Sequence, residues 1–572
     1  MENQRNLIVA LVLSALVLVG WTMFASKLLP PAAAPSTKMV NGHQVPVIQP
    51  SALPAGQPAT KSLAAALAGS PRVPIATPRL AGSIALKGAR IDDLLLTTHR
   101  ETVAKNSPPV RLLAPDGTAD AYFAGFGWEA GTGVALPGPD TLWTADGTRL
   151  TPTTPVTLRW DNGQGLRFLI RFQVDQDYMF TVTQTVENGG SAPVALRPYG
   201  LVSHLGVSKD PSSWTMHTGP IGTFNGATDY SVSYKDLDKA GAAGERFQTT
   251  GGWIGFGDKY WQTALVPAQD SAIDAGFRAG DDHRYQADVA LPQISVTPGK
   301  AATASQRFFA GAKEVDVLDR YQEQGIARFD RAIDWGWFVW FEKPIFYLLD
   351  WLFHHVGNFG VAIILLTCIV RALLFPVAQH QFKSMAAMRK VQPKMKALQE
   401  RHKEDKPKLQ QEMMKLYQAE KVNPLAGCLP IFIQMPIFIA LYKVLMLAIE
   451  MRHQPFVLWI KDLSAPDPLT PVNLFGYLPF NPPPILHLGM LAILLGVTMW
   501  LQFKLNPAAT DPAQQQVMGF MPWMMMLFFA PLAAGLQLYY VANNLLSLAQ
   551  QQFLYARTPG LKESLKPAPA KK

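Results

Sequence analysis

Apolar and polar positions follow two different rules along this chain, and the change of rule divides the molecule. Residues 7–25 (LIVALVLSALVLVGWTMFA) run 19 positions without a charge, and at about 1.5 Å per helical residue they cover most of a ~30 Å hydrocarbon core. Comparable apolar runs return only after residue 340, at 359–377, 425–449, 485–503 and 517–553. The last holds 37 residues, about 55 Å as one helix, so it must fold back. Ala530, Pro531 and Gly535 mark the break. The pattern predicts six transmembrane α-helices: an N-terminal anchor within 1–29 and a five-helix core over 359–555. A cleaved signal peptide is the rival reading of 7–25, but its apolar part usually runs only about 7–15 residues.

Between anchor and core the period is two. Leu166, Phe168, Ile170, Phe172 and Val174 share one face of a predicted strand, with Arg167, Arg171 and Gln173 on the other. Turn sequences DNGQG (161–165) and NGG (188–190) bound it and the next strand. The expectation is a large β-sandwich over 79–315, tethered by a flexible Pro/Ala-rich linker over 30–78. In 316–358, Ile326, Phe329, Ile333 and Trp337 fall on one helical face, and Trp335, Trp337, Trp340 and Trp351 supply aromatic anchors, which predicts an interfacial amphipathic helix. Residues 379–423 read as a helical hairpin, with Phe382, Met385, Met388, Met395 and Leu398 in one arm and Leu409, Met413 and Leu416 in the other. Asp405 and Pro407 lie at its turn.

Composition sharpens the picture through placement. The chain is 48% hydrophobic, 16% charged and carries a net +9. Residues 379–423 hold eleven Lys/Arg against five Asp/Glu, whereas 449–484 holds only Arg452 and Lys461. The positive-inside rule therefore puts the hairpin, both termini and the basic tail (556–572) in the cytoplasm, and residues 30–330 in the periplasm of a bacterial inner-membrane protein. Because the excess charge is juxtamembrane, it points to membrane lipids and not to DNA. The only cysteines, Cys368 and Cys428, rule out a disulfide framework and read as small packing residues.

No phosphate-cradling loop, nucleophile elbow or zinc-binding HExxH helix is present, and the single histidine pair, His354-His355, lies in an aromatic stretch. No catalytic residue, metal or cofactor is expected, so work on a substrate must come from binding and partitioning. Trp128, Trp143, Trp160, Trp214, Trp253 and Trp261 are read as packing residues of the sandwich more than as a sugar platform. The informative positions are polar groups within apolar runs, which cost free energy in hydrocarbon. Arg371 in the second span, Gln434 between Pro430 and Pro436 in the third, and Asn543-Asn544 in the sixth suggest one wet, electropositive recess facing the cytoplasm. Lys443, nearer the outer end of the third span, is read as a snorkelling anchor. On the hairpin, Met385, Met388, Arg389, Lys390, Lys394, Met395 and Lys396 form a candidate partner face.

The runs 411–414 (QEMM), 421–436 (KVNPLAGCLPIFIQMP), 458–468 (LWIKDLSAPDP), 511–512 (DP) and 535–544 (GLQLYYVANN) resemble the YidC family of bacterial membrane insertases, related to the mitochondrial Oxa and chloroplast Alb proteins. The large sandwich resembles the Gram-negative form of that family. The resemblance implies a five-helix core enclosing a hydrophilic groove, with Arg371 at the family's groove arginine and Gln434, Asn543 and Asn544 on its walls. It further implies nascent membrane proteins as clients, with the SecYEG translocon, the ribosome and the signal-recognition-particle receptor as partners. Lys443 stands where the family pattern leads one to expect an uncharged residue. Two other functions compete on the residues alone: an anion-coupled solute transporter and a membrane-anchored periplasmic sugar-binding protein.

Overall fold

The computed structural model describes residues 60–210, 216–280, 282–402, 405–420, 429–478, 488–505 and 512–557, together with two short strands nearer the N-terminus. Those strands, Thr37–Val40 and His43–Pro46, pair antiparallel within a unit of their own. The anchor expected at 7–25 and the tail at 558–572 lie outside the described residues.

The periodicity of two builds a sandwich of one nine-stranded and one ten-stranded antiparallel sheet. In the strand Leu166–Val174 the five apolar positions are buried, while Arg167, Arg171 and Gln173 are exposed. It pairs with Met179–Asn188, Leu166 standing opposite Asn188 and Val174 opposite Phe180. At the turn before it, Asn162 Oδ1 accepts the amides of Gln164 (2.8 Å) and Leu166 (3.0 Å). Gly163 and Gly165 there take φ of 69° and 85°, which a side chain would disfavour. The core lies between the sheets: from strand Tyr122–Ala130, Trp128 meets Phe168 edge-on at 5.0 Å and Phe126 meets Phe172 at 6.1 Å. Gln184 donates to Gly127 O at 2.7 Å, satisfying a polar group in that core. Trp128, Trp143 and Trp253 are buried and Trp160 and Trp261 partly so; Trp214 is outside the described residues.

Two boundaries differ from expectation. Structure starts inside the presumed linker, with helix α1 (Leu63–Ala68) and a strand at Arg72–Ala76, whose Val73 and Ile75 point into the core. A five-residue strand interrupted by Pro74 offers too short an alternation to stand out in sequence. After α2 (Tyr234–Ala240) and α3 (Val315–Glu323), the segment holding Ile326, Phe329 and Ile333 is not an amphipathic helix. It forms two 3-10 turns, Phe329–Ala332 and Gly336–Phe338, with Arg328 at φ 50°. Phe329 is buried against Trp253, Phe309 and Tyr321, and Ile326 and Ile333 are buried beside it. Their apolar face belongs to the sandwich side of the molecule, and the membrane-facing role passes to α4 (Val339–Val356), whose Trp340 and Trp351 are exposed.

The remaining helices are α5 (Phe359–Leu373), α6 (Phe375–Arg401), α7 (Lys406–Ala419), α8 (Leu429–Leu447), α9 (Met490–Leu505), α10 (Pro512–Phe529) and α11 (Ala534–Arg557). α4 packs on α5 and α8, α5 on α11, and α9 on both α10 and α11. The fold-back falls between Phe529 and Ala534, where the fully buried Gln537 donates to the carbonyls of Phe529 (3.0 Å), Ala530 (3.3 Å) and Leu532 (2.8 Å). One amide thereby serves carbonyls that the end of α10 leaves without helical partners. Among the described residues no helix is long and apolar enough to cross a membrane. The second expected run illustrates why: it is cut at Leu374, with Pro376 in the first turn of α6, leaving α5 with 15 residues, about 22 Å.

α6 and α7 make the expected hairpin. Asp405 caps α7 by accepting the Lys408 amide at 3.1 Å, and Val391 and Met395 are buried against Met413, Leu416 and Tyr417.

A candidate groove where α5 meets α11

α5 begins at Asn358, whose Oδ1 accepts the Val361 amide (3.1 Å) while its Nδ2 donates to Phe456 O (3.0 Å). This double bond ties the start of the helix to the loop that follows α8. Gly360 lies so close to the Phe456 ring that a Cβ would sit 2.0 Å from it. At the opposite end, the last turn of α5 presents Arg371 to α11. Its Nε donates to Asn543 Oδ1 at 2.8 Å and its Nη2 approaches Asn543 O at 3.5 Å. The arginine and an asparagine 172 positions away therefore form one polar contact between helices.

Arg371 borders an open recess of about 320 Å3, whose other walls include Cys368, Phe375, Leu546, Gln550 and Phe553. The recess differs from the expected one in two ways. Its walls are mostly apolar, with the guanidinium as their charged group, and Asn544 does not face it: Asn544 Nδ2 donates to Thr498 Oγ1 on α9 at 3.1 Å. Adjacent residues on a helix point about 100° apart, so Asn543 and Asn544 cannot both serve one wall. Gln550, which sequence reasoning missed, lies seven residues after Asn543 and so on the same helical face. Its Nε2 is buried without a hydrogen-bond partner. The Gln434 side chain lies outside the described residues.

On the hairpin, the side chains of Met385, Met388, Arg389, Lys390 and Lys396 are likewise outside the described residues. Met395, read as part of a partner face, is spent inside the hairpin seam, and Lys394 pairs with Glu420.

Lys443 is not a snorkelling anchor. It is 7% exposed, and its ammonium donates to Asp334 O at 2.7 Å and lies 3.5 Å from Asp334 Oδ1. It thus tethers α8 to the segment before α4, a role invisible in sequence because the residues are 109 positions apart. Nearby, Glu342 is buried with neither carboxylate oxygen hydrogen-bonded. Burial pushes its carboxyl up to about 7; Lys443 works against that rise and Asp334 adds to it.

The loop after α8 is tied down just as firmly. Glu450 Oε1 accepts the Val315 amide at 3.0 Å, at the start of α3, and burial pushes the Glu450 carboxyl up to about 8. Arg452 donates to Arg100 O (2.7 Å) and Glu101 O (3.3 Å) in the sandwich. Asp467, fully buried, accepts the Trp459 indole N–H (2.9 Å) and the amides of Leu469 (3.0 Å) and Leu491 (2.8 Å).

Residues 72–348 match the family model described as YidC periplasmic domain, and residues 351–561 match that of the 60Kd inner membrane protein. The membrane protein insertase YidC of Zymomonas mobilis is 54% identical over 558 residues, covering 97% of this chain and 96% of that one. The protein of the same name from Bradyrhizobium diazoefficiens is 44% identical over 607 residues, covering 99% and 98%. Among solved structures, that of an active YidC insertase with its first transmembrane domain resolved aligns over 86% of this chain and 94% of the other, at 18% identity and a TM-score of 0.36.

Proposed function

Because this chain belongs to the YidC family of membrane protein insertases, we propose that the recess beside Arg371 is where it receives the polar flank of an incoming membrane segment. The protein is an inner-membrane insertase with a periplasmic domain, acts on nascent membrane proteins and belongs to no enzyme class. The transporter and sugar-binding readings are not favoured, since the full-length relatives carry the insertase name.

The observation that carries the proposal is the Arg371–Asn543 contact at the mouth of an open, mostly apolar recess. A guanidinium held by one neutral amide keeps its full charge and spare donors for an acidic group on a client. The apolar walls suit the adjoining hydrophobic residues, so a client can lean in with its polar flank on Arg371 and its apolar part toward lipid. No hydrolysis is needed, because partitioning of the apolar segment supplies the free energy. α5, at about 22 Å against a ~30 Å hydrocarbon core, shortens the barrier that the flank must cross. In this reading the six apolar runs span the membrane, both termini and the α6–α7 hairpin are cytoplasmic, and the basic hairpin and tail meet the ribosome and the signal-recognition-particle receptor. The core docks with SecYEG.

Replacing Arg371 by Ala lowers insertion of acid-tailed single-span substrates about tenfold, equivalent to ~1.4 kcal/mol. Arg371→Lys retains most of it, and substrates with neutral tails change little. A proteoliposome insertion assay with matched tails reads this out; equal insertion by all three proteins overturns the proposal.

A further inference from the structure

The loop joining α8 to α9 spends its polar groups inward and turns its apolar ones out. Asp467 gathers Trp459, Leu469 and Leu491, and Thr470 accepts the Val472 amide at 3.3 Å. From this hub two tongues project. Leu458 is 85% and Tyr477 88% exposed, and Val457, Val472, Leu474 and Phe475 are exposed with them. Three of these bulky residues hold left-handed backbone, Leu458 at φ 56°, Leu474 at φ 50° and Phe475 at φ 59°. A left-handed conformation is disfavoured for any side chain of this size, and apolar exposure in water is disfavoured as well. A loop that carries both together, at residues pointing away from its own core, is built for a surface that takes up apolar groups.

The level of the loop identifies that surface. Its base residue Phe456 packs on Gly360 and accepts from Asn358, at the corner where α4 turns into α5. Trp351, exposed at 56%, lies in α4 shortly before that corner. Val457 and Leu458 follow Phe456 directly, so they stand at the depth where an interfacial helix becomes a span, with Lys461 exposed close by. Aromatic and aliphatic side chains beside a lysine match the chemistry of the headgroup–acyl boundary.

We infer that the two tongues carrying Leu458 and Tyr477 dip into the outer leaflet of the lipid bilayer and hold the α8–α9 loop at the membrane surface. The inference rests on the reading of α4 as interfacial and of the core helices as spanning. It assigns the strained loop a partner of defined chemistry, the interfacial zone of a phospholipid leaflet.

The test uses the full chain carrying Cys368→Ala and Cys428→Ser, with single cysteines introduced by Leu458→Cys, Tyr477→Cys, Val103→Cys in an exposed loop of the sandwich, and Phe520→Cys on the exposed face of α10. Each is labelled with an environment-sensitive fluorophore in vesicles of phosphatidylethanolamine and phosphatidylglycerol. Labels at 458 and 477 are expected to be quenched several-fold more by lipid bearing a nitroxide near the headgroup than the label at 103, and to be shielded from aqueous iodide. If they respond like the label at 103, the proposal is overturned. Shielding from both quenchers overturns it too, since a second protein copy then covers the loop. Lipid quenching at 520 but not at 458 and 477 removes this proposal alone, whereas its loss at 520 as well removes the spanning reading and this proposal with it.

Discussion

Arg371, Lys443 and Glu450 are three charged groups in or beside apolar helices, and each is handled differently. Arg371 meets a neutral amide beside an open recess and keeps its charge available. Lys443 is committed to Asp334, which turns a charge costly in hydrocarbon into a tether. Glu450 is buried with one oxygen on the Val315 amide and the other without a hydrogen-bond partner, so burial favours its neutral form. Glu314 and Asp350 add to that effect. Its carboxyl ordinarily titrates near 4.5 and here near 8. Between those values the folded state holds a proton that the unfolded state has released, so stability falls as pH rises through this window. Glu342, lifted to about 7, adds a slope of the same sign over a narrower range. Glu450→Gln, which still offers Val315 an acceptor, is expected to flatten the decline between pH 5 and 8 and to raise the thermal midpoint most at pH 8. Thermal unfolding of detergent-solubilised protein checks this; parallel pH profiles for both proteins contradict it.

At the scale of elements, the α6–α7 hairpin shows how local pattern and local packing agree. Every contact in its seam joins residues fewer than thirty positions apart, so the apolar periodicity that suggests two arms also selects what they bury. Met395→Asp places a charge in that seam and is expected to separate the arms at a cost of about 2–3 kcal/mol. Hydrogen exchange across α6 and α7 should rise while exchange in α5 and α11 stays unchanged; uniform exchange throughout would mean that the seam does not hold the arms. The segment 326–338 shows the opposite. Its helical spacing was real, but burial of Phe329 among Trp253, Phe309 and Tyr321 outweighed it, and the positive φ at Arg328 breaks any helix there.

On the whole-molecule scale the sandwich is attached to the helical core by a few directed contacts, through Arg452, Glu450 and the Ile326–Ile333 side chains. None of these touches the recess beside Arg371. Deleting residues 72–312 is therefore expected to leave insertion within about threefold of the intact protein, ~0.7 kcal/mol. The truncation uncovers Ile326, Phe329 and Ile333 and should lower the temperature at which the solubilised protein aggregates. Loss of insertion by a truncated chain that still integrates into the membrane would assign the sandwich an essential part.

Periods of two and of 3.6, the turn at 161–165, the fold-back at 530–535 and the hairpin are written locally, because each depends on residues that are neighbours in the chain or one helical turn apart. So is the candidacy of Arg371, since a charge within an apolar run is conspicuous by itself. What sequence cannot carry is the choice of partner across long separations. That Arg371 takes Asn543 while Asn544 turns to Thr498, that Lys443 takes Asp334, and that Asp467 gathers a loop and a helix end are decided by which helices pack together and at what rotation. Helix rotation is set by the summed packing of many apolar contacts, no one of which is visible in the order of residues.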